Sequence, residues 1–277
     1  MTNAVNGRRK LAALQMASGP DREANLAEAR RLLEIAADAG AGMAVLPEYF
    51  AQFGLSEKER TAAAEKDGDG PVQQFMAKAA GELGLWIVGG SIPVQTDGKR
   101  TRGACMVYDD SGDRVARYDK LHLFDVHVPE RDEHYEESGW TEPGEPMGPI
   151  DTPFGRLGVA ICYDLRFPEL FRWQSAQDVD IFALPAAFTA ATGRAHWEVL
   201  LRARAIENLA YVVAAGQGGY HANGRETWGH SMVVDPWGTV MDEIARGNGV
   251  ASGTPDLERL QKTRRSFPVL GHRRDIF

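Results

Sequence analysis

Only two of the 277 residues are cysteine, Cys105 and Cys162. A secreted scaffold held by disulfides normally carries more. No C-x-x-C or H-E-x-x-H spacing occurs, so no metal site is supported. Long apolar runs are missing too. The first residues, MTNAVNGRRK, are polar, and the apolar stretch after them is broken by Gln15 and then by Gly and Pro. That excludes a signal peptide or membrane span there, and the expected location is cytoplasmic. Basic excess is absent: the net charge is −8, which argues against nucleic acid as a partner. The cluster of Arg264, Arg265, Arg273 and Arg274 reads as a solvated or interface patch. There is no internal repeat, low-complexity tract or linker, and the length suits one large domain over 1–277.

What is present is an alternation of strand and helix patterns. Strands are predicted over 10–16, 43–46, 85–94, 101–108, 113–118, 158–161, 181–184 and 211–215. Helices are predicted over 22–37, 71–83, 195–209 and 256–263, with glycines closing the first two. Hairpin turns fall at 109–112 and 235–238. The stretch 126–148, rich in proline and charge, reads as a long functional loop. Mixed helices and hairpins indicate a layered α/β fold.

The chemistry concentrates at strand ends. In GRLGVAICYDLRFPEL (155–170) an apolar strand ends at Cys162, and Pro168, Glu169 and Leu170 open a helix. Such an elbow exposes a thiol at a sheet edge beside backbone N–H groups, as a nucleophile requires. Alone, the elbow does not overturn the plainer reading of Cys162 as a small core hydrophobe, the usual fate of a free cysteine. Cys105, in GACMVYD, reads as buried and inert. In GMAVLPEYF (42–50) Pro47 stops a strand and Glu48 follows. In RYDKLHLFD (117–125) Lys120 lies just beyond another strand.

The order Glu48, Lys120, Cys162 resembles the Glu-Lys-Cys triad of the nitrilase superfamily of carbon–nitrogen hydrolases. The resemblance runs from KLAALQMA (10–17) to PVLGHRRDIF (268–277). CYDLRFPEL carries it most specifically, and HWEVLLRARAIEN (196–208) and GHSMVVDPWG (229–238) are similar to the Nit branch. It implies a four-layer α-β-β-α sandwich whose subunits pair helix layer to helix layer, hence a homodimer or higher homo-oligomer. It implies an amidase that needs no cofactor, with a small carboxylate-bearing amide as its partner. Deaminated glutathione and α-ketoglutaramate are the candidate substrates, hydrolysed to acid and ammonia through a cysteine thioester. A nitrile or N-carbamoyl amino acid would use the same triad, and a catalytically silent binding protein is a third reading.

Within that resemblance Cys162 attacks, Glu48 carries the proton, and Lys120 with the Tyr163 N–H steadies the oxyanion. Glu137 takes the place of a second glutamate, with Glu136 beside it as the competing choice. Arg166 either holds a substrate carboxylate or forms a salt bridge to Asp164 or Glu169. Phe188 and Thr192 are placed on a loop lining the pocket. His122, His196 and His230 read as structural. Arg194 stands where the branch often has Pro, either a cation at the pocket rim or simply exposed.

Overall fold

Residues that alternate between two apolar faces set the layers. In the computed structural model, which describes residues 10–128 and 133–274, the chain begins with β1 (Lys10–Gln15), α1 (Arg22–Asp38), β2 (Ala41–Glu48), α2 (Glu57–Ala62) and α3 (Pro71–Leu83). β3 (Trp86–Gln95), β4 (Thr101–Tyr108), β5 (Arg114–Asp119), β6 (Asp125–Val128) and β7 (Glu133–Glu136) follow. Next come β8 (Ile150–Thr152), β9 (Gly155–Val159), α4 (Pro168–Ser175), β10 (Ile181–Ala186), α5 (Ala190–Asn208) and β11 (Tyr211–Gly216). The last elements are β12 (Gly218–Tyr220), β13 (Glu226–Trp228), β14 (Ser231–Val234), β15 (Val240–Ile244), β16 (Gly249–Gly253) and α6 (Leu257–Ser266). The polar start at 1–9, the segment 129–132 and the end at 275–277 lie outside the described residues.

Two six-stranded sheets result, in the orders β16-β1-β2-β3-β4-β5 and β15-β14-β11-β10-β9-β8. Each has three parallel strands at its centre, β1-β2-β3 and β9-β10-β11, with antiparallel strands outside them. Side chains alternate along a strand, so each strand of the first sheet serves two layers. Leu11, Ala13, Met43, Val45, Cys105 and Val107 share a core with Ala183 and Val213 of the second sheet. Ala12, Leu14, Ala44, Leu46 and Met106 pack instead with Leu32, Leu33 and Ala36 of α1 and Met76 and Ala80 of α3. Leu170 and Phe171 of α4 and Trp197 and Leu201 of α5 cover the second sheet. The α-β-β-α sandwich expected from the sequence is therefore present.

The helix limits follow from their caps. The Asp21 carboxylate accepts the Ala24 N–H at 3.1 Å and starts α1. Pro71 opens α3, and Gly84 closes it in the left-handed conformation at φ +60°. Among the described residues no helix is long and apolar enough to cross a membrane.

Several expectations need correction. Pro47 does not stop β2, which continues to Glu48 paired with Ser91 of β3; proline's φ suits an extended chain at a strand's end. α5 begins at Ala190, not near 195, because the Thr189 hydroxyl accepts the Thr192 N–H and caps it earlier. The 126–148 stretch is not wholly loop: β6 and β7 pair there as a hairpin. Arg264 is no surface charge. It binds Asp180 at 2.8 Å and the carbonyl of Leu209, fixing α6 to the second sheet.

Candidate active site

Glu48 ends β2, Lys120 follows β5, and Cys162 lies three residues past β9, so the carboxyl ends of strands from both sheets supply the site. Ligands of open α/β sheets gather at such ends. Glu137 enters from a short 3₁₀ turn after β7. All four are nearly removed from solvent, with exposures of 2% for Glu48 and Lys120, 5% for Glu137 and 8% for Cys162.

The Lys120 ammonium bridges two carboxylates, donating to Glu48 Oε1 at 3.0 Å and Glu137 Oε2 at 2.8 Å. Glu137 also accepts the Phe124 N–H at 2.8 Å and the Tyr49 hydroxyl at 3.1 Å. The Gln217 amide holds the Glu48 carbonyl at 3.1 Å. Burial pushes the Glu48 carboxyl up; Lys120 opposes this and Glu137 reinforces it. Burial alone would lower Lys120, but Glu137 and Glu48 outweigh it and hold the ammonium well above its usual range. Burial, then the charge of Glu48, lift the Cys162 thiol far above normal against the pull of Lys120. The resting site thus contains a charged lysine and a neutral thiol. A thiol in that state can act as a nucleophile only if a base takes its proton.

The backbone at Cys162 is left-handed, φ +48°, a conformation non-glycine residues seldom adopt. Asp164, fully buried, holds it. Its Oδ2 accepts the Ile161 N–H at 2.9 Å and the Tyr118 hydroxyl at 2.7 Å. Its Oδ1 accepts the His122 N–H at 2.9 Å and lies 2.8 Å from His122 Nδ1. The elbow is thereby tied to the chain on either side of Lys120. The Ala187 N–H points at Cys162 Sγ from 3.5 Å.

Above these groups opens a pocket of about 820 Å³. The carbon-nitrogen hydrolase family pattern matches residues 10–265 of the chain. The chain belongs to the carbon-nitrogen hydrolase family. This hydrolase is 40% identical to the deaminated glutathione amidase of Yersinia enterocolitica, over 96% of this chain and 93% of that one. It is 40% identical to the Homo sapiens deaminated glutathione amidase over 95% and 82%. It superposes on the crystal structure of the Caenorhabditis elegans NitFhit protein with a TM-score of 0.88 at 38% identity, covering 97% of this chain and 65% of that longer one.

In the hydrolase the other anticipated residues fall as follows. Glu137, not the exposed Glu136, meets Lys120. Arg166 makes neither expected salt bridge. Its guanidinium lies over the rings of Phe188 (5.2 Å) and Tyr163 (5.8 Å) and 3.1 Å from His196 Nδ1, and Arg166 lines the pocket. Phe188 and Thr192 both line the pocket, but Thr192 belongs to the first turn of α5 rather than a loop. Arg194 is exposed over Trp228 and does not line it. His122 buttresses Asp164, and His230 stacks on Trp228. Cys105 is buried in the inter-sheet core, which pushes its thiol far up. Among the described residues no cluster of His, Cys, Asp or Glu could hold a metal.

Three contributors went unforeseen: Tyr49, Asp164 and Gln217. Tyr49 and Asp164 lie inside the quoted motifs, LPEYF and CYDLRF, so their proximity to Glu48 and Cys162 was the available signal. Gln217 carries no comparable cue.

Proposed function

We propose that the chain is an amidase that cleaves deaminated glutathione, with Cys162 as nucleophile and Glu48, Lys120 and Glu137 as its charge and proton machinery. The observation that carries this reading is one buried ammonium shared by two carboxylates beside a neutral thiol. Glu48 takes the thiol proton as sulfur attacks the amide carbonyl. Lys120 and the Tyr163 N–H receive the oxyanion. Loss of one such donor typically costs about 3–4 kcal/mol of transition-state stabilisation. The C–N bond breaks as Glu48 passes the proton to the leaving nitrogen. Water, deprotonated by Glu48, then opens the thioester, and the thiol regains a proton.

Arg166 is the candidate for the α-keto-acid carboxylate. Two aromatic faces and His196 hold it, which leaves part of its planar fork for a bidentate contact. Phe188 and Thr192 complete that wall. The leaving group of deaminated glutathione is an amine, cysteinylglycine, so ammonia is the product only for a primary amide such as α-ketoglutaramate. Residues 1–277 as one domain, a cytoplasmic location and a homodimer or higher homo-oligomer belong to the same reading. Exposed Trp173 of α4 and Val199 and Ile206 of α5 offer the helix layer an apolar face for a partner.

The test is product release across deaminated glutathione, α-ketoglutaramate, glutamine, simple nitriles and N-carbamoyl amino acids. Highest kcat/KM for the α-keto-acid amides is expected. Turnover confined to nitriles or carbamoyl compounds would overturn the assignment.

A further inference from the structure

The pocket holds a second guanidinium whose setting matches that of Arg166 but on another wall. Arg60, in α2, lies 4.1 Å from the ring centre of Trp140 and 4.7 Å from that of Tyr49. It lines the pocket and, among the described residues, forms no ion pair with a carboxylate. Rings occupied by its faces leave the N–H edge as the part able to donate. Its seat is joined to the buried trio. Tyr49 follows Glu48 and donates its hydroxyl to Glu137, and the Trp140 N–H donates to the Glu137 carbonyl at 3.3 Å. Neighbouring Glu59 is committed to the Ser56 cap of α2.

We infer that Arg60 binds a carboxylate on the leaving-amine side of the substrate, so that the pocket selects amides bearing one carboxylate on each side of the scissile bond. This rests on the amidase reading above. The orientation follows from the chemistry. The group that protonates the leaving nitrogen must stand beside it. Glu48 is that group, and Arg60 is seated on the residue next to Glu48. Arg166 stands instead on the wall made by the Cys162 elbow and α5. A pocket of about 820 Å³ also has room well beyond a five-carbon primary amide. The third pocket guanidinium, Arg225, lies 4.5 Å over Tyr135 of β7, which packs on Phe124 and not on the residue next to Glu48.

The experiment compares kcat/KM for deaminated glutathione with that for its analogue whose terminal glycine carboxylate is a carboxamide. Wild-type protein is expected to prefer the carboxylate form by at least about tenfold, the worth of a charge-assisted contact. In Arg60→Gln that ratio should collapse towards one, whatever happens to the rate common to both. Arg60→Lys should retain part of it, and Arg225→Gln should keep it. Equal wild-type rates on the two substrates would overturn the role of Arg60 while leaving the amidase reading intact. Collapse in Arg225→Gln but not Arg60→Gln would overturn it as well. Should wild-type protein cleave neither compound, the amidase reading fails and the inference falls with it. The wild-type pair needs no folded variant.

Discussion

Replacing Glu137 by Gln isolates the charge of the second carboxylate from its shape. The amide oxygen can sit where Oε2 sits, accepting from Lys120 and from the Phe124 N–H, both at 2.8 Å. The amide nitrogen then faces the Tyr49 hydroxyl, now 3.1 Å from Oε1, which can rotate and accept. Every contact survives and one negative charge goes. Lys120 exchanges a bond to a charged acceptor for a bond to a neutral one, a loss of about 0.5–2 kcal/mol. The difference, at about 1.4 kcal/mol per decade, predicts a fall in kcat of roughly 2- to 30-fold. Glu137 also helps raise the Glu48 carboxyl. Without it the ammonium faces Glu48 alone and the carboxylate form of Glu48 is favoured. The acid limb of the kcat profile should therefore move to lower pH, since the base ionises sooner. Steady-state kinetics across pH, with thermal melts to confirm the fold, is the assay. A rise in KM with kcat unchanged, or an acid limb moving upward, would refute the reasoning. Glu136→Gln serves as the comparison, because Glu136 is exposed and does not meet Lys120.

Cys162→Ala should abolish turnover with the fold retained, and a trapped thioester should map by mass spectrometry to Cys162; an adduct on buried Cys105 would contradict the assignment. Glu48→Gln should lower kcat by roughly 10²–10⁴-fold, yet not lower the melting temperature at neutral pH. The folded pKa of Glu48 is raised, so its contribution to stability is full below the unfolded carboxyl pKa and lost as pH rises through the folded value. The neutral amide avoids that loss, and a melt depressed at neutral pH but unchanged in acid would count against this. Asp164→Asn should destabilise by about 1–3 kcal/mol, measured by denaturant titration. Each carboxylate oxygen accepts one backbone N–H, from His122 or Ile161, so an amide nitrogen in either place confronts a donor that cannot turn away. Wild-type stability would mean that Asp164 does not hold the elbow.

Much of the frame was legible because burial on both faces imposes an apolar pattern with period two. KLAALQ divides its side chains between the sheet core and the α1 layer with no ambiguity of register. α3 was legible to the residue, since Pro71 and Gly84 are punctuation with a physical cause. α5 was not. ThrGlyArg, 192–194, reads as a loop, but Gly193 is a packing glycine inside the helix. A Cβ there would come within 2.2 Å of the Trp228 side chain, so its absence lets β13 lie against α5. That is a tertiary requirement and leaves no periodic trace.

The site shows the same division. Glu48 and Cys162 could be named because each stands at the end of a visible apolar run, and Lys120 because the resemblance picks it out in the half-polar RYDKLHLFD. Choosing Glu137 over Glu136 could not be done that way. Two adjacent glutamates at the end of a short hairpin differ only in where the next turn sends them, and the 3₁₀ turn at Glu137–Gly139 turns the second one inward. The elbow falls at Cys162 as expected, but the strand before it spans Gly155–Val159 and not 158–161. Ile161 gives its N–H to Asp164, and Cys162 turns left-handed at once. Tyr49, beside Glu48, is left-handed too, at φ +56°. Strand regularity thus breaks where the reacting groups must leave the sheet. An apolar pattern can point to those breaks. Glu137 reaches Tyr49, and Asp164 reaches Tyr118 and His122, across long sequence separations, and only the folded chain brings those contacts into view.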